Sequence, residues 1–237
     1  MSKIFDQEIK ILFDRFCSKQ KFAFSKYADG EWLAIRGVNG TSGNNEWTIN
    51  DGTNTYDLSR NKLIESFKFK DDNYYVGISC PCCQGEHHQA MKIFSEQNEY
   101  NLTFANIFVN SNYTFFIENF IPEFNKKTNI HLVANKVTDL TSLPFAVEKF
   151  YPVEYDAWRH NLSLIDEIKE QNLKDKIFLF STGPFGNILA YELWKSNKNN
   201  VYLDVGSTLD PWTKANRLIG KYYTDNSPDR NKVCVWG

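Results

Sequence analysis

Residues 24–32 read FSKYADGEW, and this short segment decides how the rest of the chain is interpreted. The apolar residues Phe22–Phe24 predict a strand that ends near Tyr27. A helix is predicted to begin at Trp32 and to stop at Gly37. The Asp-Gly-Glu triplet therefore lies at a strand-to-helix junction, the kind of place where open α/β sheets bind ligands.

Asp29 and Glu31 are separated only by Gly30, which lets the backbone bend so that both carboxylates can point at one small cation. Hard divalent cations such as Mg²⁺ and Mn²⁺ take carboxylate oxygens together with substrate phosphates. A nucleotide-sugar transferase needs this chemistry, because the metal neutralises a departing diphosphate. The alternative is structural: Asp29 is a helix N-cap and Glu31 lies in the first turn, where acids suit the helix dipole.

Composition places the chain among ordinary soluble globular proteins, with 237 residues, 42% hydrophobic and 24% charged. A net charge of −2 argues against a nucleic-acid partner. No apolar run is long enough for a transmembrane segment, and acidic residues interrupt the N-terminal apolar residues, so no signal peptide is expected. Three of the five cysteines lie within residues 80–83, which does not resemble a spaced disulfide framework and favours a cytoplasmic location.

Strands alternate with helices along the whole chain, which predicts a single domain, residues 1–237, with a Rossmann-like three-layer α/β sandwich and a mostly parallel sheet. The loop at 37–55 either folds over a ligand or is plain surface. Strands are predicted at 22–27, 74–78, 103–109, 130–134, within 145–153, at 177–181 and at 201–205. Helices are predicted at 3–19, 32–37, 58–69, 86–100, 113–120, 157–172 and 185–193.

Residues 181–187 read STGPFGN and follow a strand that is apolar on both faces. Gly183 and Gly186 permit close approach of an anion, Pro184 suits the first helical position, and N–H groups at the helix start, reaching Asn187, can bind phosphate. The segment is not a P-loop, because no Lys-Ser/Thr pair follows Gly186. The alternative is a tight turn without a ligand.

Asp204 ends the last strand, where an acidic residue can hold a ribose hydroxyl, as in dinucleotide-binding folds. Capping of the following turn is the alternative for Asp204 and for Asp210. Trp212 could stack on a base or sugar, although tryptophan is more often a core residue.

A cysteine-rich segment raises a zinc hypothesis. Its candidate ligands are Cys80, Cys82, Cys83, His87 and His88. Structural zinc commonly takes ligands from two separated pairs, and no second pair is evident. Free cysteines that act as small buried hydrophobes are the alternative. His87 or His88 could also be a general base, since histidine transfers protons near neutral pH.

The segment at 24–31 resembles the Arg-Tyr/Phe-Gly-Asp-Gly-Glu signature of the GT-D fold glycosyltransferases. The likeness continues in the same order at 108–113, at 180–193 and at 202–207. Two positions differ: the family's Arg is Lys26, which keeps the charge but loses bidentate phosphate contact, and its first Gly is Ala28.

The resemblance implies a metal-dependent glycosyltransferase with a UDP-sugar donor and a glycan or glycoconjugate acceptor. Asp29 and Glu31 would hold Mn²⁺ or Mg²⁺. Together with the arguments from the residues themselves, the resemblance gives as predicted donor-binding residues Lys26, Gly30, Gly183, Pro184, Gly186, Asn187 and Asp204. The resemblance assigns no base; if the enzyme inverts, Glu31 and His87 are the candidates, and an oligomer is compatible with this assignment. The alternative is a non-catalytic nucleotide- or carbohydrate-binding module on the same scaffold.

Overall fold

The computed structural model describes residues 2–38, 55–213, 223 and 230–237. The predicted loop at 37–55 lies mostly outside these residues.

A seven-stranded, fully parallel sheet forms the centre of the molecule, with the spatial order β4-β3-β2-β8-β7-β5-β6. Its strands are β2 (Ala23–Lys26), β3 (Tyr74–Ile78), β4 (Leu102–Phe104), β5 (Ile130–Asn135), β6 (Lys149–Val153), β7 (Ile177–Ser181) and β8 (Val201–Asp204). Parallel strands are buried on both faces, which is why their sequences are nearly continuous apolar runs.

Helices connect the strands. The α-helices are α1 (Phe5–Cys17), α2 (Asp29–Ile35), α3 (Thr55–Lys68), α4 (Pro81–Ser95), α5 (Tyr113–Phe115), α6 (Ile121–Asn125), α7 (Ala157–His160), α8 (Ser163–Glu170), α9 (Pro184–Ser196) and α10 (Asp210–Thr213). Short 3-10 helices span Asn110–Asn112, Leu140–Ser142 and Gly206–Leu209, and one π-helical turn spans Phe116–Phe120.

Two neighbouring residues of β2 show that both faces of the sheet are covered. Phe24 packs edge-to-face on Phe108, with ring centroids 5.4 Å apart, in an aromatic layer with the 116–124 segment. Ser25 points to the opposite face, where the side-chain amide of Asn187 in α9 donates to its hydroxyl. Alternate residues of a strand face opposite sides, so the predicted three-layer α/β sandwich is confirmed.

A two-stranded antiparallel ribbon joins the first and last described residues. In it, β1 (Lys3–Ile4) pairs with β9 (Val235–Trp236). Trp236 is buried, with its ring 5.2 Å from that of Phe104 and 4.7 Å from that of His88. The segment after residue 230 is thereby fixed beside the β4 edge of the sheet.

Several predicted boundaries were wrong. Helix α4 begins at Pro81 rather than at Glu86, because Pro81 occupies the first helical turn, and the helix is kinked at Gln84. Strand β4 stops at Phe104, and turns replace the rest of the predicted 103–109 strand. The predicted 157–172 helix is two helices, α7 and α8, separated at Asn161–Leu162.

Candidate functional site

The candidate site lies where β2 and β8 run side by side. From β2 the chain builds β3 and β4 on one side of the sheet, whereas β8 adjoins β7, β5 and β6 on the other. This reversal makes the carboxyl ends of β2 and β8 the switch point, where open α/β sheets form a crevice. Lys26 ends β2 and Asp204 ends β8.

The acidic triplet forms the first turn of α2 rather than a loop before a helix. The N-cap is Ala28, not Asp29. Glu31 folds back, and its Oε2 accepts the backbone N–H of Ala28 at 2.8 Å, which supplies half of a capping box. Capping of α2 therefore uses one of the two carboxylate oxygens of Glu31.

The two carboxylates differ in exposure. Asp29 is exposed at the start of α2, and Glu31 is buried. The Nζ of Lys26 lies 3.7 Å from Glu31 Oε2, so a cation and an anion share the floor of the crevice. The structure therefore brings Lys26 and Glu31 together, with Asp29 on the solvent side.

Asp204 joins the two central strand ends. Its Oδ2 accepts the backbone N–H of Lys26 at 3.2 Å, and its Oδ1 accepts the backbone N–H of Gly206, also at 3.2 Å. Only 2% of the residue is exposed. Asp204 therefore holds together the two strand ends on which the candidate site is built. Its contact with a nucleoside stays a prediction.

Burial raises the pKa of Asp204 from 3.8 to about 7. The negative charge of Glu31 acts in the same direction, while Lys26 and the two backbone N–H groups oppose it. A carboxyl that titrates near neutral pH at a strand end is a feature often found in functional sites.

Gly206 follows Asp204 with a φ of +52°, a conformation that residues with a Cβ rarely adopt. A Cβ on Gly206 would lie 2.6 Å from Cε of Lys26. The carbonyl oxygen of Gly206 accepts the hydroxyl of Ser181 at 2.7 Å, which links the end of β7 to this turn. Glycine at 206 therefore leaves room for the Lys26 side chain over the strand ends.

The α9 residues predicted to bind the donor divide into two groups. Gly183 has a φ of +58°, and a Cβ there would meet nothing within 4 Å, so the backbone at Gly183 borders open space, whereas Pro184, the first residue of the helix, is buried. Asn187 is buried, and its Nδ2 donates to the carbonyl oxygen of Lys26 at 2.6 Å. Gly186 packs against Asp204, whose Oδ1 would lie 3.2 Å from an added Cβ.

The two histidines of α4 have different environments. His87 is half-buried, and its Nδ1 lies 3.0 Å from Oε1 of Gln84 beside a depression of about 200 Å³. His88 is buried with its Nδ1 2.7 Å from the carbonyl oxygen of Ser79, which is a core arrangement. The role of His87 as a base stays a prediction, since its Nδ1 faces Gln84 rather than the acidic triplet.

Across residues 2–38, 55–213, 223 and 230–237, one group of three or more candidate metal ligands is present, and it consists of cysteines. Asp29 and Glu31 do not belong to a larger acidic cluster there. Within those same residues, the structure contains no helix with the length and apolar character needed to cross a membrane.

The fold and the position of the crevice define the class of architecture: a Rossmann-like α/β sandwich with a switch-point site. Solved structures share this fold. One is described as a highly conserved domain of unknown function 1792 with a distinct glycosyltransferase fold; it has a TM-score of 0.60 and 13% identity over 84% of this chain and 77% of that one.

Another is described as a new glycosyltransferase with the same domain from Streptococcus sanguinis. Its TM-score is 0.59 at 13% identity, over 84% of this chain and 80% of that one. No protein-family model and no curated protein sequence matches the chain. These likenesses show a shared glycosyltransferase-type fold and confirm the fold class predicted from the sequence.

Three parts of the arrangement were missed from sequence. Gly206 gives Lys26 its space, the side chain of Asn187 holds the backbone of β2, and Cys234 lies beside the cysteine-rich segment. A strand ending in Asp-x-Gly was a visible signal for Gly206. For Cys234, the signal was that the chain has five cysteines, so a further cysteine was available to complete the ligand set at residues 80–83.

Proposed function

We propose that the protein is a glycosyltransferase that takes a sugar from a nucleoside-diphosphate sugar, with a UDP-sugar as the first donor to test. The observation that carries this proposal is the pairing of Lys26 with an acidic helix start at the switch point of a glycosyltransferase-type fold. The acceptor, a glycan or glycoconjugate, follows from the resemblance alone.

The diphosphate would lie over the strand ends, between Lys26 and the start of α9. The Lys26 side chain is 20% exposed, its ammonium lies 3.7 Å from Oε2 of Glu31, and its stem passes beside Gly206. The N-terminus of α9, with open space at Gly183, favours an anion through its dipole. Asn187 and Asp204 would hold the β2 end in place without touching the phosphates.

Asp29 and Glu31 would hold a divalent cation. The donor set fits a hard ion, because Asp29 offers an exposed carboxylate and Glu31 keeps a second oxygen beside the one that caps α2. When bound, such an ion would offset the negative charge that develops on the departing diphosphate. Asp29 would be the principal protein ligand, since Glu31 is also paired with Lys26.

His87 would take the proton of the acceptor hydroxyl if the enzyme inverts the anomeric centre. Its imidazole borders the depression formed with Gln84, Gly85 and Glu86, where an acceptor could approach. The bond from Nδ1 to Gln84 would orient the ring.

A non-catalytic nucleotide-binding module is the second candidate. The observation that favours it is the use of Glu31 as a helix cap and as a partner of Lys26, which leaves Asp29 as the one exposed carboxylate of the triplet. Such a module would bind UDP without turning over a donor.

Calorimetric titration of UDP in the presence of Mn²⁺ tests the metal and diphosphate assignment. We expect Asp29→Asn to weaken UDP binding in Mn²⁺ by at least about tenfold, since an ion-mediated contact is lost. Asp6→Asn is the matched control, because Asp6 is also an exposed acid in the first turn of a helix. Equal affinity in the wild type and in Asp29→Asn would contradict the assignment.

A further inference from the structure

Four cysteine sulfurs converge at the carboxyl end of β3. Cys80, Cys82 and Cys83 lie at the start of α4, and Cys234 immediately precedes β9. All four Sγ atoms lie within 4.8 Å of one another. The fourth ligand that the cysteine-rich segment lacks in sequence is thus supplied by the far end of the chain.

We propose that these four cysteines bind one zinc ion in a tetrahedral site made entirely of thiolates. The Sγ–Sγ distances are 3.2 Å for Cys80–Cys82, 3.9 Å for Cys82–Cys83 and 3.8 Å for Cys83–Cys234. A tetrahedral zinc with Zn–S bonds of about 2.3 Å separates its sulfurs by about 3.8 Å. Two of these distances already match, and the third requires a shift of the exposed Cys82 side chain.

The local backbone explains how three close cysteines reach one point. Cys80 has extended dihedral angles, and the N–H groups of Cys83 and Gln84 both donate to its carbonyl oxygen, at 3.2 and 3.0 Å. The helix then breaks at Gln84, with φ −151° and ψ 65°. The resulting turn presents the three sulfurs on one side, in a Cys-Pro-Cys-Cys spacing tighter than that of common zinc motifs.

Donors around the sulfurs suit thiolates. The Nδ2 of Asn106 lies 2.8 Å from Sγ of Cys234, and Nδ2 of Asn110 lies 3.5 Å from the same sulfur. The backbone N–H of Val235 points at Sγ of Cys82 at 3.4 Å. Hydrogen bonds of this kind orient metal ligands and offset their negative charge.

The exposure of the ligands fits a metal that enters from solvent. Cys82 and Cys83 are exposed, and Cys80 and Cys234 are buried. An ion from solvent would therefore reach the two exposed sulfurs first and then bind the two buried ones. Binding of Zn²⁺ to four thiols forms four Zn–S bonds and releases the four thiol protons to solvent. Neither His87 nor His88 belongs to this group of ligand atoms: His87 lies beside Gln84, and the buried His88 bonds the carbonyl oxygen of Ser79 and packs on Trp236.

The site would fasten the end of the chain to the sheet. Cys234 leads into β9, which pairs with β1, while Cys80 follows β3, the neighbour of β2. Zinc would therefore be structural, and it is independent of the ion proposed at Asp29 and Glu31. Its donors are soft sulfurs, whereas the crevice offers hard carboxylate oxygens.

Elemental analysis and X-ray absorption of the untagged chain, purified under reducing conditions without chelators, test the proposal. We expect about one zinc per chain, surrounded by four sulfurs at about 2.3 Å. Cys234→Ser should lower the zinc content at least about fivefold, because a three-sulfur site binds more weakly. Cys17→Ser is the matched control, since Cys17 is an exposed cysteine on α1 and outside the cluster; it should retain the full zinc content.

A titration of the reduced wild-type chain with Co²⁺ keeps the test decisive should Cys234→Ser fail to fold. Sulfur-to-cobalt charge-transfer bands at one equivalent of Co²⁺, reversed by Zn²⁺, would support a tetrahedral thiolate site. The proposal would be overturned by a chain that takes up neither Zn²⁺ nor Co²⁺, by bound iron in place of zinc, or by cluster cysteines found as a disulfide after alkylation and mass analysis.

Discussion

The backbone N–H of Lys26 donates to the side chain of Asp204, and this bond joins the ends of the two central strands. The carboxylate that receives it is buried and titrates near neutral pH. The position of Lys26 in the crevice thus depends on a group that the solvent does not reach. The predictions below follow from this relationship and from the contacts around it.

The pKa of Asp204 makes stability depend on pH. Because the pKa is raised in the folded chain, the folded state keeps a proton that the unfolded state releases as pH rises from about 4 to about 7. The free energy of unfolding should therefore fall across this interval, by up to about 1.4 kcal/mol per pH unit for one proton. Asp204→Asn removes this titration.

Chemical denaturation of the wild type and Asp204→Asn at several pH values measures the effect. The wild type should lose stability relative to the variant between about pH 4 and 7, even if the variant is less stable at all pH values through one lost backbone contact. Parallel curves for the two proteins would contradict the assigned pKa.

Asn187→Ala should destabilise the fold by about 1–3 kcal/mol, because the carbonyl oxygen of Lys26 and the buried hydroxyl of Ser25 lose the amide that donates to them. Asn199→Ala is the control, since Asn199 is exposed and its side-chain amide donates to the neighbouring Asn197. Urea denaturation of both variants gives the comparison. A cost below about 0.5 kcal/mol for Asn187→Ala would mean that this contact does not hold β2.

Gly206→Ala should weaken UDP binding through Lys26. The added Cβ would lie 2.6 Å from Cε of the lysine, whose flexible side chain must move away. We expect about a tenfold loss of affinity, comparable with losing one charge-assisted contact. In a Lys26→Ala background the same glycine substitution should have little further effect, and calorimetry of the four proteins completes this double-mutant cycle. If Gly206→Ala weakened UDP binding as much in the Lys26→Ala background as in the wild type, the effect would come from backbone strain at residue 206 and not from Lys26.

Glu31 has a structural and a proposed metal-binding role that two substitutions separate. Glu31→Gln keeps an oxygen that can accept the Ala28 N–H and loses the charge paired with Lys26, so it should preserve the helix cap that Glu31→Ala removes. Glu31→Ala loses the cap and should cost about 1 kcal/mol. Both should reduce the Mn²⁺ dependence of UDP binding. If Glu31→Gln binds UDP and Mn²⁺ as the wild type does, Glu31 is a helix cap only.

The sheet was predictable from sequence because parallel strands must be apolar on both faces. The runs at 74–78 and 177–181 became β3 and β7 with the predicted bounds. Boundaries failed where a local turn competed with the apolar pattern. At Cys80–Gln84 a proline started the helix early, and after Phe104 turns replaced the extended chain.

Within the candidate site, the location was predictable and the detailed contacts were not. Strand-end residues such as Lys26 and Asp204 are brought together by topology, which the alternation of elements implies. That Asp204 would be buried under Lys26, or that Asn187 would turn towards β2, depends on side-chain packing between segments far apart in sequence. The proximity of Cys234 to Cys83 has the same cause, because Cys234 precedes β9, which pairs with β1 at the other end of the described chain.

Donor turnover is the measurement that tests the proposed glycosyltransferase most directly. A panel of UDP-, GDP- and dTDP-sugars is incubated with the wild type and Asp29→Asn, with and without Mn²⁺, and the released nucleoside diphosphate is quantified. We predict Mn²⁺-dependent release of UDP by the wild type, slower by about 100-fold in Asp29→Asn, since a metal contact contributes several kcal/mol in the transition state. Binding of UDP without release from any donor, or equal rates in both proteins, would contradict the proposal.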